Sequence, residues 1–300
     1  DLVRRLYRLL KNESISGLRS VVALAKKCYK QALNSFPGDI ESTPDPLLRT
    51  HLKLLQGNAL LGAGMNREAR EVFFQVYRIC RIEGLQSDYR KISLKALMNA
   101  GLATKNLGDF KAAVQFYREV ISTKILVAPS QEIQIRNLLG SLLTKMKDLT
   151  QAGVELYCAL KLAQELGEDK LEADVNLNIA VLEFARNDSC KALEFFEKSR
   201  SLAGSDMERR IRVELNMGTL LCDQGEDEQA WVFFDKAQDY ARRNDLERYL
   251  PLILTNLANI RQKQGVVREA VMLAEEASSL ASKLEIDDQW IKDCRSEERR

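Results

Sequence analysis

The chain has 300 residues, 45% hydrophobic and 29% charged, with 45 Lys+Arg, 43 Asp+Glu and one histidine, His51. A single imidazole excludes histidine-based triads, HExxH zinc sites and two-histidine metal centres, and no P-loop or GxGxxG run supports a nucleotide-binding loop. With only 15 Gly and 5 Pro, long helices are favoured over a β-sandwich, and no apolar run approaches the ~20 residues of a membrane helix.

Six cysteines, Cys28, Cys80, Cys158, Cys190, Cys222 and Cys294, stand far apart and form no CxxC. Such spacing reads as reduced thiols in an intracellular protein, cytoplasmic or nuclear, without metal or cofactor. The charge is uneven: residues 1–150 carry 24 Lys+Arg against 13 Asp+Glu, and residues 151–300 carry 21 against 30. A field of that polarity can steer a partner. The sequence starts at Asp1 without a signal-like segment, which reads as a piece of a longer protein.

In chain order, residues 2–11 and 14–34 predict a helix pair, with Tyr29 and Ala32 in its second helix. Asn34–Pro46, containing Pro37-Gly38, Pro44 and Pro46, predicts a loop. Together 1–46 read as a degenerate N-terminal pair and loop. From there a small residue recurs at Gly57, Gly101, Gly140, Ala180, Gly218 and Ala258, at intervals of 44, 39, 40, 38 and 40. Twelve positions after each stands an alanine: Ala69, Ala113, Ala152, Ala192, Ala230 and Ala270. Four further on come Phe73, Tyr117, Leu156, Phe196, Phe234 and Ala274. A turn former follows the first small residue by seven, at Gly64, Gly108, Asn187, Gly225 and Gly265, with Lys147 as the exception. Six repeats result, at about 47–84, 91–125, 130–167, 170–204, 208–244 and 248–284. Residues 285–300 predict a capping helix bearing Trp290, begun by Asp287-Asp288 and followed by a charged tail.

Each repeat reads as two antiparallel helices. A Gly or Asn ends the first in the left-handed conformation. Two helices approach closely only where side chains are small, so the Gly/Ala and the later Ala are contact points, and the large ring is expected to fill space toward the next repeat. This small, small, aromatic spacing resembles the tetratricopeptide repeat, most closely at Asn99-Ala100-Gly101 through Gly108-Asp109-Phe110 to Ala113, and at Asn216-Met217-Gly218 through Gly225 to Ala230 and Phe234. The resemblance covers about residues 47–284. It departs from the family in lacking the early Trp and the terminal Pro, and in placing Thr104, Glu183 and Arg261 where an apolar residue is usual. Repeats of about 40 residues look like those of kinesin light chain, Pins-type adaptors and bacterial peptide-sensing regulators. The fold so implied is all-α, a right-handed α-solenoid of antiparallel helix pairs.

In such a stack the first helices line the concave side. Two positions before the small residue stand Asn99, Asn178, Asn216 and Asn256, and three before it Asn137. Asparagine is a mediocre helix former, so its recurrence needs a reason. A carboxamide both donates and accepts, as two-point capture of a peptide main chain requires. The resemblance points the same way, because peptide-binding members of the family hold the ligand main chain with asparagines at this register. The alternative is that these amides bond neighbouring helices within the array. Residues one turn away, Lys95, Leu102, Lys105, Asn106, Ser141, Lys145, Arg212, Thr219, Asn259 and Lys263, would supply selectivity. Several are basic, favouring an acidic or phosphorylated peptide. The carboxylate clamp of chaperone-tail binders is rejected. Asn58 and Asn99 match its asparagines, but Leu54, Gln134 and Leu138 occupy its basic positions.

His51 is expected at the surface or in a cap, Trp231 between repeats, Cys222 as a packed thiol, and the Arg209-Arg210 and Arg242-Arg243 pairs on solvated faces. A nucleic-acid binder would want a continuous basic stripe with aromatics, which the acidic second half opposes. The expected function is a non-catalytic scaffold holding a partner segment. The alternatives are a structural subunit using its outer or edge surfaces, and a peptide-gated regulator.

Overall fold

Thirteen α-helices and one 3-10 turn make up nearly all of the computed structural model, which describes residues 29–82, 87–122 and 128–284; no strand occurs among the described residues. The chain divides after Ala128 into two units. Unit 1 holds α1 (Tyr29–Ser42), α2 (Pro46–Gly62), α3 (Asn66–Ile82), α4 (Ser87–Asn106) and α5 (Phe110–Ser122). Unit 2 holds α6 (Pro129–Lys145), α7 (Leu149–Leu166), α8 (Asp169–Ala185), α9 (Ser189–Leu202), α10 (Met207–Asp223) and α11 (Asp227–Arg243), then the 3-10 turn Glu247–Tyr249, α12 (Leu250–Lys263) and α13 (Val267–Lys283). The fold is an all-α solenoid of antiparallel helix pairs: α2–α3, α4–α5, α6–α7, α8–α9, α10–α11 and α12–α13. The expected helices over 2–11 and 14–28 and the capping segment 285–300 lie outside the described residues.

All six pairs reverse direction in the same way. At the first, the Met65 N–H donates to the Leu60 carbonyl at 2.9 Å and the Gly64 N–H to the Leu61 carbonyl at 3.1 Å, with Gly64 at φ 76°. This two-bond closure satisfies the carbonyls left over at a helix end. It recurs with Gly108 (φ 81°), Asn187 (φ 63°), Gly225 (φ 81°) and Gly265 (φ 77°) in the left-handed position. Lys147 takes it too, at φ 63°, although a side chain there costs roughly 1–2 kcal/mol. The sequence exception is thus no exception in geometry: closure of the pair imposes the conformation. Asp109, Asp148 and Asp188 follow directly and accept N–H bonds of 3.1–3.2 Å from Ala112, Gln151 and Lys191, capping the second helix.

The small residues answer one large side chain each. A Cβ placed on Gly57 would lie 2.5 Å from Phe73, one on Gly101 2.9 Å from Tyr117, one on Gly140 2.4 Å from Leu156, and one on Gly218 2.6 Å from Phe234. The large side chain therefore lies on the glycine of its own helix pair, which corrects the expectation that it fills space toward the next repeat. Ala69, Ala113, Ala152, Ala192 and Ala230 are fully buried beside these contacts.

The expected loop over Asn34–Pro46 is also corrected. α1 runs through Pro37-Gly38 to Ser42. An interior proline costs about 3 kcal/mol, but Phe36 and Ala32 are fully buried against Leu52, Leu55 and Ala59 of α2, and burying a phenylalanine alone contributes about 1.5–3 kcal/mol. The chain turns only at Thr43, whose hydroxyl donates to the Asp39 carbonyl at 2.6 Å. Asp45 then caps α2, accepting from the Leu47 N–H at 2.8 Å, with Pro46 in the first helical turn.

Candidate functional site

The polar faces of the first helices carry the candidate residues, and each unit arranges them differently. In unit 1, the Asn99 amide of α4 donates to Asn58 Oδ1 of α2 at 2.7 Å, and the Asn106 amide donates to Asn66 Oδ1 of α3 at 3.1 Å. All four asparagines are half-buried. Each primary amide has two donors and two acceptor sites, so one bond per pair leaves most of this capacity unused. Lys95, one turn before Asn99, is exposed, whereas Leu102 and Lys105 are half-buried.

In unit 2 the Asn178 amide of α8 donates to Asn137 Oδ1 of α6 at 2.8 Å. Ser141 and Lys145 follow Asn137 on α6, both half-buried. Asn216 turns back on its own helix and donates to the Arg212 carbonyl at 2.7 Å. Thr219 is buried, its hydroxyl donating to the Leu215 carbonyl at 3.0 Å. Asn256 and Asn259 are half-buried on α12.

The cations of unit 2 meet carboxylates of the same array. Arg212 lies 3.3 Å from Asp174 of α8, and Arg209 grips the same carboxylate through Nε at 3.2 Å and Nη2 at 2.9 Å while also pairing with Asp206. Hydrogen bonding to Asp174 holds the Arg209 guanidinium above its ordinary pKa. Arg209 is thus a bridge between repeats, which corrects the expectation of a solvated face. Lys263 pairs with Asp227 at 2.9 Å, and that bond raises its pKa. Glu208 accepts from the Tyr249 hydroxyl at 2.7 Å and pairs with Arg248 at 2.7 Å.

Other singled-out residues find packing roles. His51 Nδ1 lies 3.1 Å from the Leu47 carbonyl. Arg261, 3.8 Å over the Trp231 ring, also pairs with Glu269 at 2.9 Å, so Trp231 packs between consecutive repeats. Glu183 is buried, with Arg186 at 2.7 Å and the Tyr157 hydroxyl at 3.2 Å. Burial pushes the Cys222 thiol up to about 12 and that of Cys80 up to about 11. Glu214 is 2% exposed, its Oε2 has no hydrogen-bond partner, and burial raises its pKa. Among the described residues no group of three His, Cys, Asp or Glu could hold a metal ion, and none of their helices is long and apolar enough to cross a membrane. Asn66 falls outside the asparagine register because it opens a second helix, and the role of Asp174 shows only once Arg209 and Arg212 stand beside it.

Fold and site together define a helix-pair solenoid with polar first-helix walls. Residues 94–124 match the tetratricopeptide repeat family model, and the fold as a whole is like that of a tetratricopeptide repeat protein. Its structure is similar to the apo form of RapI, with a TM-score of 0.70 at 12% identity over 89% of this chain and 97% of that one. It is also similar to a tetratricopeptide repeat protein from Parabacteroides merdae, with a TM-score of 0.65 at 15% identity over 98% of each chain. A Rap protein complexed with competence and sporulation factor gives 0.61 at 15% identity over 94% of this chain and 85% of that one. At these identities the likeness is one of fold. No curated protein matches the sequence significantly.

Proposed function

We propose that this chain is a non-catalytic scaffold whose first-helix walls hold an extended or partly helical segment of another protein, with asparagines meeting its main chain. The observation that carries this reading is the pairing of amides across neighbouring repeats, Asn99 with Asn58 and Asn178 with Asn137. Each pair fixes two carboxamides in one orientation and leaves donors and acceptors on a half-buried face, so a visiting backbone meets groups already ordered. The remaining candidates, Asn216, Asn256 and Asn259 with Ser141 and Lys145, flank these positions. The structural likeness to a Rap protein complexed with competence and sporulation factor is consistent with a bound partner.

The same pairing favours a second reading, in which the amides only fasten one repeat to the next and partners dock elsewhere. A peptide array probed with the wild-type chain and with Asn99→Ala/Asn178→Ala separates the two. Main-chain capture predicts at least tenfold weaker binding by the variant at a nearly unchanged melting temperature, and loss of binding when the captured peptide's backbone amides are N-methylated. Parallel losses of stability and binding, or indifference to N-methylation, favour the fastener.

A further inference from the structure

Two faces of α10 carry charge, and they are treated in opposite ways. On one, Arg209 holds the Asp174 carboxylate of α8 through two nitrogens, at 3.2 and 2.9 Å, and Arg212 reaches the same carboxylate at 3.3 Å. Asp174 and Arg209 are both half-buried. This clasp takes the place of the amide pairs that join α2 to α4 and α6 to α8, because Asn216 bonds within α10 rather than to Asn178 of α8.

Glu214 stands five residues beyond Arg209, about 140° around the helix, and so faces away from the clasp. It is buried, and its Oε2 has no hydrogen-bond partner. The charges that face it are Arg200 and Glu197 of α9, Lys236 of α11, and Arg210 of α10 itself. Arg200 is engaged by Glu197 at 2.6 Å, and Lys236 lies 5.1 Å over the Phe233 ring. Arg210 Nε is itself buried without a partner. A carboxylate taken out of water and left unpaired is costly. The clasp therefore holds α10 in a position that is good for one face and poor for the other. Both sets of charges ride on one helix, so a turn that carries Glu214 to a cation draws Arg209 and Arg212 off Asp174.

We propose that α10 is a two-position rocker at the junction of the fourth and fifth helix pairs. With the clasp closed, Glu214 stays buried and unpaired. With the clasp open, α10 turns, Arg200 exchanges Glu197 for Glu214, and α10–α11 tilts against α8–α9. An anion competing for the two arginines, or a cation competing for Asp174, selects the open position by favouring one of two existing arrangements.

The test is urea unfolding of the full chain at pH 7, followed by far-ultraviolet circular dichroism, on the four combinations of Asp174→Asn and Glu214→Gln. In the wild-type background Glu214→Gln is expected to raise the folding constant, because it removes an unpaired buried charge. In the Asp174→Asn background the same change is expected to lower it by about threefold or more, because the carboxylate it removes is now paired. Sites that share no partner add in their effects, so a reversal of direction reports the turn of α10. Adding Arg200→Gln to Asp174→Asn brings back the wild-type direction. Asp174→Glu, which keeps a carboxylate for the clasp, retains that direction, and so does Glu165→Gln, which breaks an exposed ion pair with Lys161 on α7. The same direction in the wild-type and Asp174→Asn backgrounds overturns the proposal, as does a reversal that survives Arg200→Gln. If Asp174→Asn fails to fold, Arg212→Gln, which loosens the clasp, is judged by the same two outcomes.

Discussion

A double-mutant cycle on Asn137 and Asn178 measures how far these amides serve the array itself. They share one neutral hydrogen bond of 2.8 Å between α6 and α8, at a half-buried position. Such a bond contributes about 0.5–1.5 kcal/mol net. Each Asn→Ala change also gains about 0.5 kcal/mol in helix propensity, but that gain appears in the single and the double variants alike and cancels in the cycle. The expected coupling is therefore about 1 kcal/mol, roughly a fivefold change in the folding constant. Urea denaturation of wild type, both singles and the double, followed by far-ultraviolet circular dichroism, provides the four free energies. Asn216→Ala serves as the contrast, since its bond stays within α10. A cycle that closes to within about 0.3 kcal/mol, the scatter of independent sites, refutes a stabilising link between these repeats.

Lys147→Gly relieves a left-handed side chain worth roughly 1–2 kcal/mol against about 0.5–1 kcal/mol of added chain entropy. A net gain of about 0.5–1 kcal/mol should therefore raise the melting temperature by about 1–3 °C, and an unchanged or lower value contradicts the turn assignment. Glu214→Gln tests the buried carboxyl, whose pKa burial raises and Glu197 raises further, against the opposing pull of Arg200, Lys236 and Arg210. With the folded pKa above the unfolded one, the stability this group contributes is present below the ordinary glutamate value of 4.5 and is lost as pH rises through the folded value. Urea midpoints of wild type and variant should thus diverge from pH 4 to pH 7 in favour of glutamine, whereas a constant offset contradicts a raised pKa.

The helix pairs were legible because their signals are local and repeated. Glycine at 57, 101, 140 and 218 has no side chain to pack, so its recurrence points to a close approach, and the structure supplies the opposing side chain, a ring at three of them and Leu156 at Gly140. Pro37 misled because a breaker acts locally, while the burial of Phe36 that overrides it depends on α2, nearly twenty residues away. The candidate wall was half legible. A register shows that Asn99 and Asn178 stand at equivalent places, but not that each bonds to an asparagine one repeat earlier, at positions 58 and 137. Nor does it show that Thr219 is buried or that Arg212 is neutralised, because both depend on the neighbouring helices.

The small floors at the helix crossings bear on how such arrays diverge. Where the floor is Gly57 or Gly218 the roof is a phenylalanine, at Gly101 a tyrosine and at Gly140 a leucine. A glycine floor therefore accepts more than one large roof, so a crossing can exchange its occupant. Change can therefore accumulate pair by pair until little of the original spelling remains, while the scaffold stays recognisable in outline.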